Sequence, residues 1–187
     1  VAAGMGFRKF RLTGGEPLVR ADLADIVRGM ARITGVEHIG LSTNGTRLAA
    51  LSETLRQAGA ATVNVSLDAL DPALYRRITG GDVEAVLAGI RATVVAQFAR
   101  VKLNCVLLRG MNEQELWPLV LFAADHDLPV RFIELMPVTA NVVLIERSFL
   151  SSAARSAALS SWSRKMMFTA PSTPITAMRA VGQARFT

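Results

Sequence analysis

The sequence predicts an α/β fold, an open or partial βα barrel, on three observations. Strand-like and helix-like segments alternate, with starts every ~25–40 residues, the spacing of repeated βα units around a parallel sheet. Each strand has one polar and one apolar face, and a doubly wound sheet, covered on both faces, tends to be apolar on both. The polar residues gather at strand C-terminal ends, where barrels of this kind place their chemistry.

The elements follow in order. Lys9–Thr13 reads as a strand and Asp22–Ile33 as an amphipathic helix. His38–Thr43 is a strand, followed by a helix near Ala49–Gln57. Thr62–Ser66 is a strand, with helical material at Ala73–Arg77 and Val83–Val95. Val101–Leu107 is a strand, Glu113–His126 a helix and Val130–Glu134 a strand. Side chains alternate across a strand. Arg11 with Thr13, Ser42 with Asn44, Asn64 with Ser66 and Asp68, Lys102 with Asn104, and Glu134 with Met136 therefore share polar faces. Phe10 and Leu12, Val63 and Val65, Val101 and Leu103, and Ile133 and Leu135 form the apolar side. Arg11, Ser42, Ser66, Lys102 and Glu134 are expected to line one concavity, with Leu12, Val65 and Leu103 under helices.

Residues 1–150 are expected to form the barrel core, and 151–187 an atypical, poorly ordered tail rich in Ser and Ala. No convincing strand follows Ser151, and few long-range contacts are expected for Ala153–Thr176. The 187 residues, 51% hydrophobic, suffice for one substantial core and exclude disorder throughout. The net charge of +6 lies wholly after Glu146, in scattered Arg147, Arg155, Arg164, Lys165, Arg179 and Arg185. That scatter does not form the basic block of a nucleic-acid arm. There is no signal-peptide pattern and no apolar run of membrane-spanning length, so a cytoplasmic protein with neither membrane nor nucleic acid as partner is expected. The single cysteine, Cys105, excludes an internal disulfide framework and fits a reducing compartment. Val1 in place of an initiator Met suggests missing upstream sequence.

Gly14-Gly15-Glu16-Pro17 joins a strand to a helix. Two glycines let a ligand approach the backbone closely, and Pro17 stiffens the exit. The loop is no P-loop, since no Gly-Lys-Ser/Thr follows. Ser42-Thr43-Asn44-Gly45 and Asn64-Val65-Ser66-Leu67-Asp68 end the next two strands, and each taken alone fits an ordinary turn. Lys102 faces the polar side, either paired with an acid such as Glu134 or as part of an anion site. With Arg11 on the same side, two inward cations favour an anionic substrate such as a phosphate. Met136 by itself reads as core packing, Cys105 as a buried core thiol, and His38 and His126 as structural or exposed. No cysteine spacing suits a metal.

Phe10–Arg20 (FRLTGGEPLVR), Leu41–Gly45 (LSTNG), Ala58–Leu70 (AGAATVNVSLDAL), Val101–Asn112 (VKLNCVLLRGMN) and Arg131–Pro137 (RFIELMP) together resemble the GTP 3′,8-cyclase family of radical S-adenosylmethionine (SAM) enzymes, over about Phe7 to Leu150. The resemblance implies a partial (βα)6 TIM-like radical SAM barrel, here incomplete at both ends, without its first strand and cluster loop. It implies SAM contacts at Gly14, Gly15, Glu16, Ser66 and Met136, with the Gly14–Glu16 backbone meeting the methionyl amino group. It implies GTP contacts at Arg11, Ser42 and Lys102. In the family, a reduced [4Fe–4S] cluster cleaves SAM to a 5′-deoxyadenosyl radical, which takes a ribose hydrogen from GTP, and the carbon radical attacks the purine. The product is (8S)-3′,8-cyclo-7,8-dihydroguanosine 5′-triphosphate, an early compound of molybdenum cofactor biosynthesis, handed on to cyclic pyranopterin monophosphate synthase.

The departures are specific. The ligands of both family clusters lie outside this chain, so no catalytic or metal-ligating residue is assigned and the fragment alone is expected to be inactive. Ser42 stands where Thr is usual, and Gln97 where Gly is usual at a helix end. The pattern fades after Ser152 and returns at Ala180–Phe186 (AVGQARF), which a compensated reading-frame error would explain. Two alternatives are a different radical SAM enzyme acting on a peptide or small molecule, and a cluster-free inactive remnant.

Overall fold

The computed structural model describes residues 1–135, Ala157 and Arg185–Phe186. The strands are β1 (Lys9–Leu12), β2 (His38–Thr43), β3 (Thr62–Ser66), β4 (Arg100–Val106), β5 (Val130–Ile133) and β6 (Arg185–Phe186). The α-helices are α1 (Leu23–Ala31), α2 (Leu48–Ala58), α3 (Pro72–Thr79), α4 (Val83–Val95) and α5 (Leu116–Asp125). The chain forms two compact units. The first comprises Val1–Leu67 and Gly81–Lys102, and the second Asp68–Gly80 and Leu103 onward.

In the first unit β1, β2 and β3 pair in parallel, with Arg11 opposite Gly40 and Ser42 opposite Asn64. β-Branched residues suit β3, whose Thr62, Val63 and Val65 are buried. α1, α2 and α4 supply the helical layer. The contact between α2 and α4 depends on glycine: a Cβ at Gly89 would lie 2.5 Å from the Gly45 carbonyl oxygen. Gly45 itself has φ 82°, in the left-handed region that favours glycine. α4 starts on Asp82, whose carboxylate accepts from the Glu84 N–H, and ends on a Schellman closure. There the Gln97 N–H donates to Val94 and the Phe98 N–H to Thr93. Gln97 therefore sits at φ 57°, the conformation glycine adopts most readily. The residue type departs from glycine here, while the backbone keeps the left-handed conformation that glycine favours.

In the second unit β4 pairs in parallel with β5, Asn104 opposite Arg131 and Cys105 opposite Phe132. α3 opens on Asp71, whose carboxylate accepts from the Leu74 N–H at 2.7 Å, with Pro72 filling the first turn. α5 follows a short 3-10 turn, Glu113–Glu115, and buries Leu116, Trp117, Leu119, Val120 and Ala123.

Strand parity holds for β2, β3 and β4: Ile39, Leu41, Val63, Val65, Leu103 and Cys105 are at most 2% exposed. β5 reverses the expected assignment. Val130 and Phe132 are buried, and Arg131 and Ile133 are the half-buried residues of the other face. The strand stops at Ile133, so its phase is fixed by the large Phe132 ring and not by the Glu134 charge beyond its end. The expectation of no strand after Ser151 is also corrected, because Arg185–Phe186 pairs in parallel with Arg131–Phe132. The expected reading of Ala153–Thr176 falls almost wholly outside the described residues.

Candidate functional site

On the first unit the polar strand face begins with Arg11. Its side chain lies over Gly40, and Nη1 donates to the Leu41 carbonyl at 2.8 Å. A Cβ at Gly40 would come within 3.0 Å of Arg11 Nη2 and 2.8 Å of Thr62 Oγ1, so a missing side chain on β2 makes room for the guanidinium. Thr62 Oγ1 is 2.9 Å from His38 Nε2. His38 is half-buried in this cluster. Ser42 is half-buried at the end of β2, and Ser66 is exposed at the end of β3. Lys102 is half-buried, on the side of β4 opposite the buried Val101 and Leu103.

The Gly14–Glu16 loop is held from its last residue. Glu16 Oε1 accepts from Thr43 Oγ1 at 2.6 Å and from the Leu18 N–H at 3.0 Å. Its Oε2 accepts from the Asn44 N–H at 2.7 Å, and Thr43 Oγ1 in turn accepts from the Gly45 N–H. The carboxylate thus ties the loop after β1 to the loop after β2. Gly14 has φ 145°, and a Cβ on Gly14 or Gly15 would meet no atom within 4 Å. The loop therefore presents open backbone on a braced frame, which fits a ligand whose ammonium group seeks carbonyl oxygens.

On the second unit, the loop after β3 is fastened to the loop after β4. Asn112 is fully buried, and its Nδ2 donates to the carbonyls of Asp68 at 2.8 Å and Val106 at 3.0 Å. Its Oδ1 accepts from the Leu108 N–H at 2.7 Å, so both amide hydrogens and the amide oxygen are engaged. Glu115 Oε2 accepts from the Leu70 N–H at 2.5 Å. Asp68 Oδ1 accepts from the Val106 N–H at 2.8 Å. Burial holds the Asp68 carboxyl above its usual pKa, and the Val106 bond only partly offsets it.

The sequence-expected residues Gly14, Gly15, Glu16, Arg11, Ser42, Ser66 and Lys102 all lie in the first unit, while Met136 lies outside the described residues. Sequence reasoning missed Thr43, Asn112 and Glu115 as loop braces, and it missed the bracing role of the Glu16 side chain. A signal was present in the turn Thr43-Asn44-Gly45: Thr43 Oγ1 serves the Gly45 N–H, and the Asn44 N–H takes its oxygen from outside the turn. Among the described residues no group of His, Cys, Asp or Glu could hold a metal ion, and Cys105 is fully buried. The described residues do not fit an iron–sulfur cluster. Also among the described residues, no helix is long and apolar enough to cross a membrane.

The family model described as the radical SAM superfamily matches residues 1–123. Among curated relatives, a GTP 3′,8-cyclase from Limosilactobacillus fermentum is 45% identical over 137 residues, 73% of this chain and 41% of the relative. A GTP 3′,8-cyclase from Moorella thermoacetica is 48% identical over 139 residues, 74% of this chain and 43% of the relative. The chain thus spans about two fifths of the length of these relatives. A domain of pyruvate-formate lyase-activating enzyme from Bacteroides vulgatus shares the fold, with TM-score 0.69 at 14% identity, covering 97% of this chain and 99% of that one.

Proposed function

Because the chain belongs to the radical SAM superfamily, with its partial TIM-like α/β barrel fold, we propose that it is the core of a GTP 3′,8-cyclase. The carrying observation is the 45–48% identity to cyclases over 137–139 residues. The proposed reaction converts GTP to (8S)-3′,8-cyclo-7,8-dihydroguanosine 5′-triphosphate, with cyclic pyranopterin monophosphate synthase next in the pathway and a cytoplasmic location. SAM and its [4Fe–4S] clusters, when bound, supply the one-electron chemistry that removes a ribose hydrogen, and the cluster ligands belong to the rest of the protein.

This chain's residues bind and orient. The open backbone of Gly14, Gly15 and Glu16 receives the methionyl ammonium of SAM, and Ser66 and Met136 complete that contact set. Arg11 and Lys102 neutralise phosphate oxygens, with a charge-assisted contact worth about 1.5–3 kcal/mol each. The Ser42 hydroxyl keeps the hydrogen-bonding chemistry of a threonine at that position. The Glu16 clamp holds the loop before any ligand arrives, which lowers the ordering cost of binding.

The test is turnover of GTP by the full-length protein carrying this sequence, with clusters reconstituted anaerobically and with SAM and a reductant. The cyclised triphosphate is the expected product, and residues 1–187 alone should give none. SAM cleavage with GTP left intact would point instead to a radical SAM enzyme with another substrate.

A further inference from the structure

Gly40 is buried in the middle of β2, with Arg11 of β1 as its register partner on one side and Thr62 of β3 on the other. The three residues form one row across the first unit's sheet, on the same face. Glycine is depleted in strands, where it often marks the close approach of another group. Gly40 is not among the positive-φ glycines, so its backbone would accept a side chain and only the space forbids one. That space is taken by the Arg11 guanidinium: a Cβ on Gly40 would lie 3.0 Å from Nη2 and 3.1 Å from Cζ. The guanidinium has crossed from its own strand onto β2, a step of about 4.8 Å. There Nη1 donates to the Leu41 carbonyl at 2.8 Å. Ser42 follows two residues along β2, on the face that Gly40 leaves bare. Thr62 closes the far side of the gap. Its Oγ1 would be 2.8 Å from the added Cβ, and it is held 2.9 Å from His38 Nε2. A β-branched side chain with its hydroxyl engaged has little freedom to withdraw. An alanine at position 40 is therefore accommodated by moving the long, flexible Arg11 side chain.

We propose that Gly40 is a positioning residue for the nucleotide. By leaving its place empty, it lets a cation rooted on β1 stand on the strand that carries Ser42, with Thr62 and His38 as the backstop. Gly40 itself touches no ligand. The proposal rests on the function proposed above, under which Arg11 and Ser42 contact GTP.

The experiment measures equilibrium binding of GTP and of SAM, separately, to the full-length protein and to its Gly40→Ala, Arg11→Ala and doubly substituted variants, with a melting curve to show that each is folded. Gly40→Ala should weaken GTP binding roughly tenfold, the scale of one charge-assisted contact, and leave SAM binding within about twofold. In the Arg11→Ala background the same Gly40→Ala substitution should change GTP affinity by less than about twofold, because the group it displaces is gone. A glycine that served only the fold would act alike in both backgrounds. Should Gly40→Ala not fold, Gly40→Ala with Thr62→Ala serves, compared with Thr62→Ala alone: it removes the contact to the hydroxyl, keeps the one to Arg11, and should show the same loss of GTP affinity. Wild-type GTP affinity in a folded Gly40→Ala protein overturns the proposal. So does a loss that is equal with and without the Arg11 side chain, or one as large for SAM as for GTP. A wild-type protein that binds no GTP, or an Arg11→Ala protein that binds it as tightly as the wild type, defeats the underlying functional reading instead.

Discussion

Replacing Glu16 by Gln tests whether the loop after β1 is braced before ligand binding. The carboxylate accepts from Thr43 Oγ1 at 2.6 Å, the Asn44 N–H at 2.7 Å and the Leu18 N–H at 3.0 Å. A Gln side chain has one acceptor oxygen. If that oxygen keeps Thr43 and Leu18, the new NH2 faces the Asn44 N–H, donor against donor. One charge-assisted bond is lost, about 1.5–3 kcal/mol. For a chain of this size about 1 kcal/mol shifts the melting temperature by roughly 2–4 °C, so Glu16→Gln should lower it by about 3–12 °C. Thermal melting followed by circular dichroism reads this directly. A Thr43→Val partner completes a double-mutant cycle, with a coupling of about 1 kcal/mol or more expected. In the full-length protein SAM affinity should fall as well, although the carboxylate itself faces β2. A Glu16→Gln protein that melts with the wild type, with effects simply additive to Thr43→Val, would refute the clamp.

Three further predictions concern the frame around the site. Gln97→Gly should stabilise the chain by about 1 kcal/mol, because φ 57° is a left-handed conformation that costs a side-chain-bearing residue about that much; denaturant melting of the pair checks it. Gly89→Ala should destabilise by about 1–3 kcal/mol, since the new methyl would sit 2.5 Å from the Gly45 carbonyl oxygen and push α4 off α2. Asp68→Asn should raise the melting temperature at neutral pH, because burial disfavours the charged carboxylate while Asn keeps an acceptor for the Val106 N–H. The folded carboxyl pKa is raised, so the folded state binds the proton more tightly. The stability of the Asp68 protein should fall as pH rises from the ordinary value of 3.8 through the raised one. The advantage of Asn should therefore shrink as pH is lowered toward 4, and an advantage independent of pH would contradict the assignment.

Much of this was legible in the sequence because strand alternation is a local signal. Val63 and Val65, or Ile39 and Leu41, announce a buried face without knowledge of their partners, and Gly14-Gly15 announces a turn with exposed backbone. The braces were not legible in the same way. Glu16 meets Thr43 and Asn44 across 27 and 28 residues, and Asn112 meets Asp68 across 44, so each is defined only once parallel strands align. The phase of β5 is set by the buried Phe132, which the alternation of Ile133 and Glu134 does not reveal. Gln97 shows the converse. A sequence departure at one helix end corresponded to a left-handed backbone that the Schellman closure requires. Arg185–Phe186 is not legible as a strand, because two residues offer no alternation to read.

If the polar strand face binds the nucleotide as proposed, Lys102 is the residue whose loss should show it. In the full-length protein, GTP and SAM affinities are measured for the wild type, Lys102→Ala and Lys102→Arg, with melting temperatures on the same samples. Lys102→Ala should weaken GTP binding about tenfold or more, the equivalent of roughly 1.5–3 kcal/mol, and leave SAM binding nearly unchanged. Lys102→Arg should restore only part of the loss, since a planar fork replaces a point charge. A well-folded Lys102→Ala protein that binds GTP as tightly as the wild type would contradict the claim.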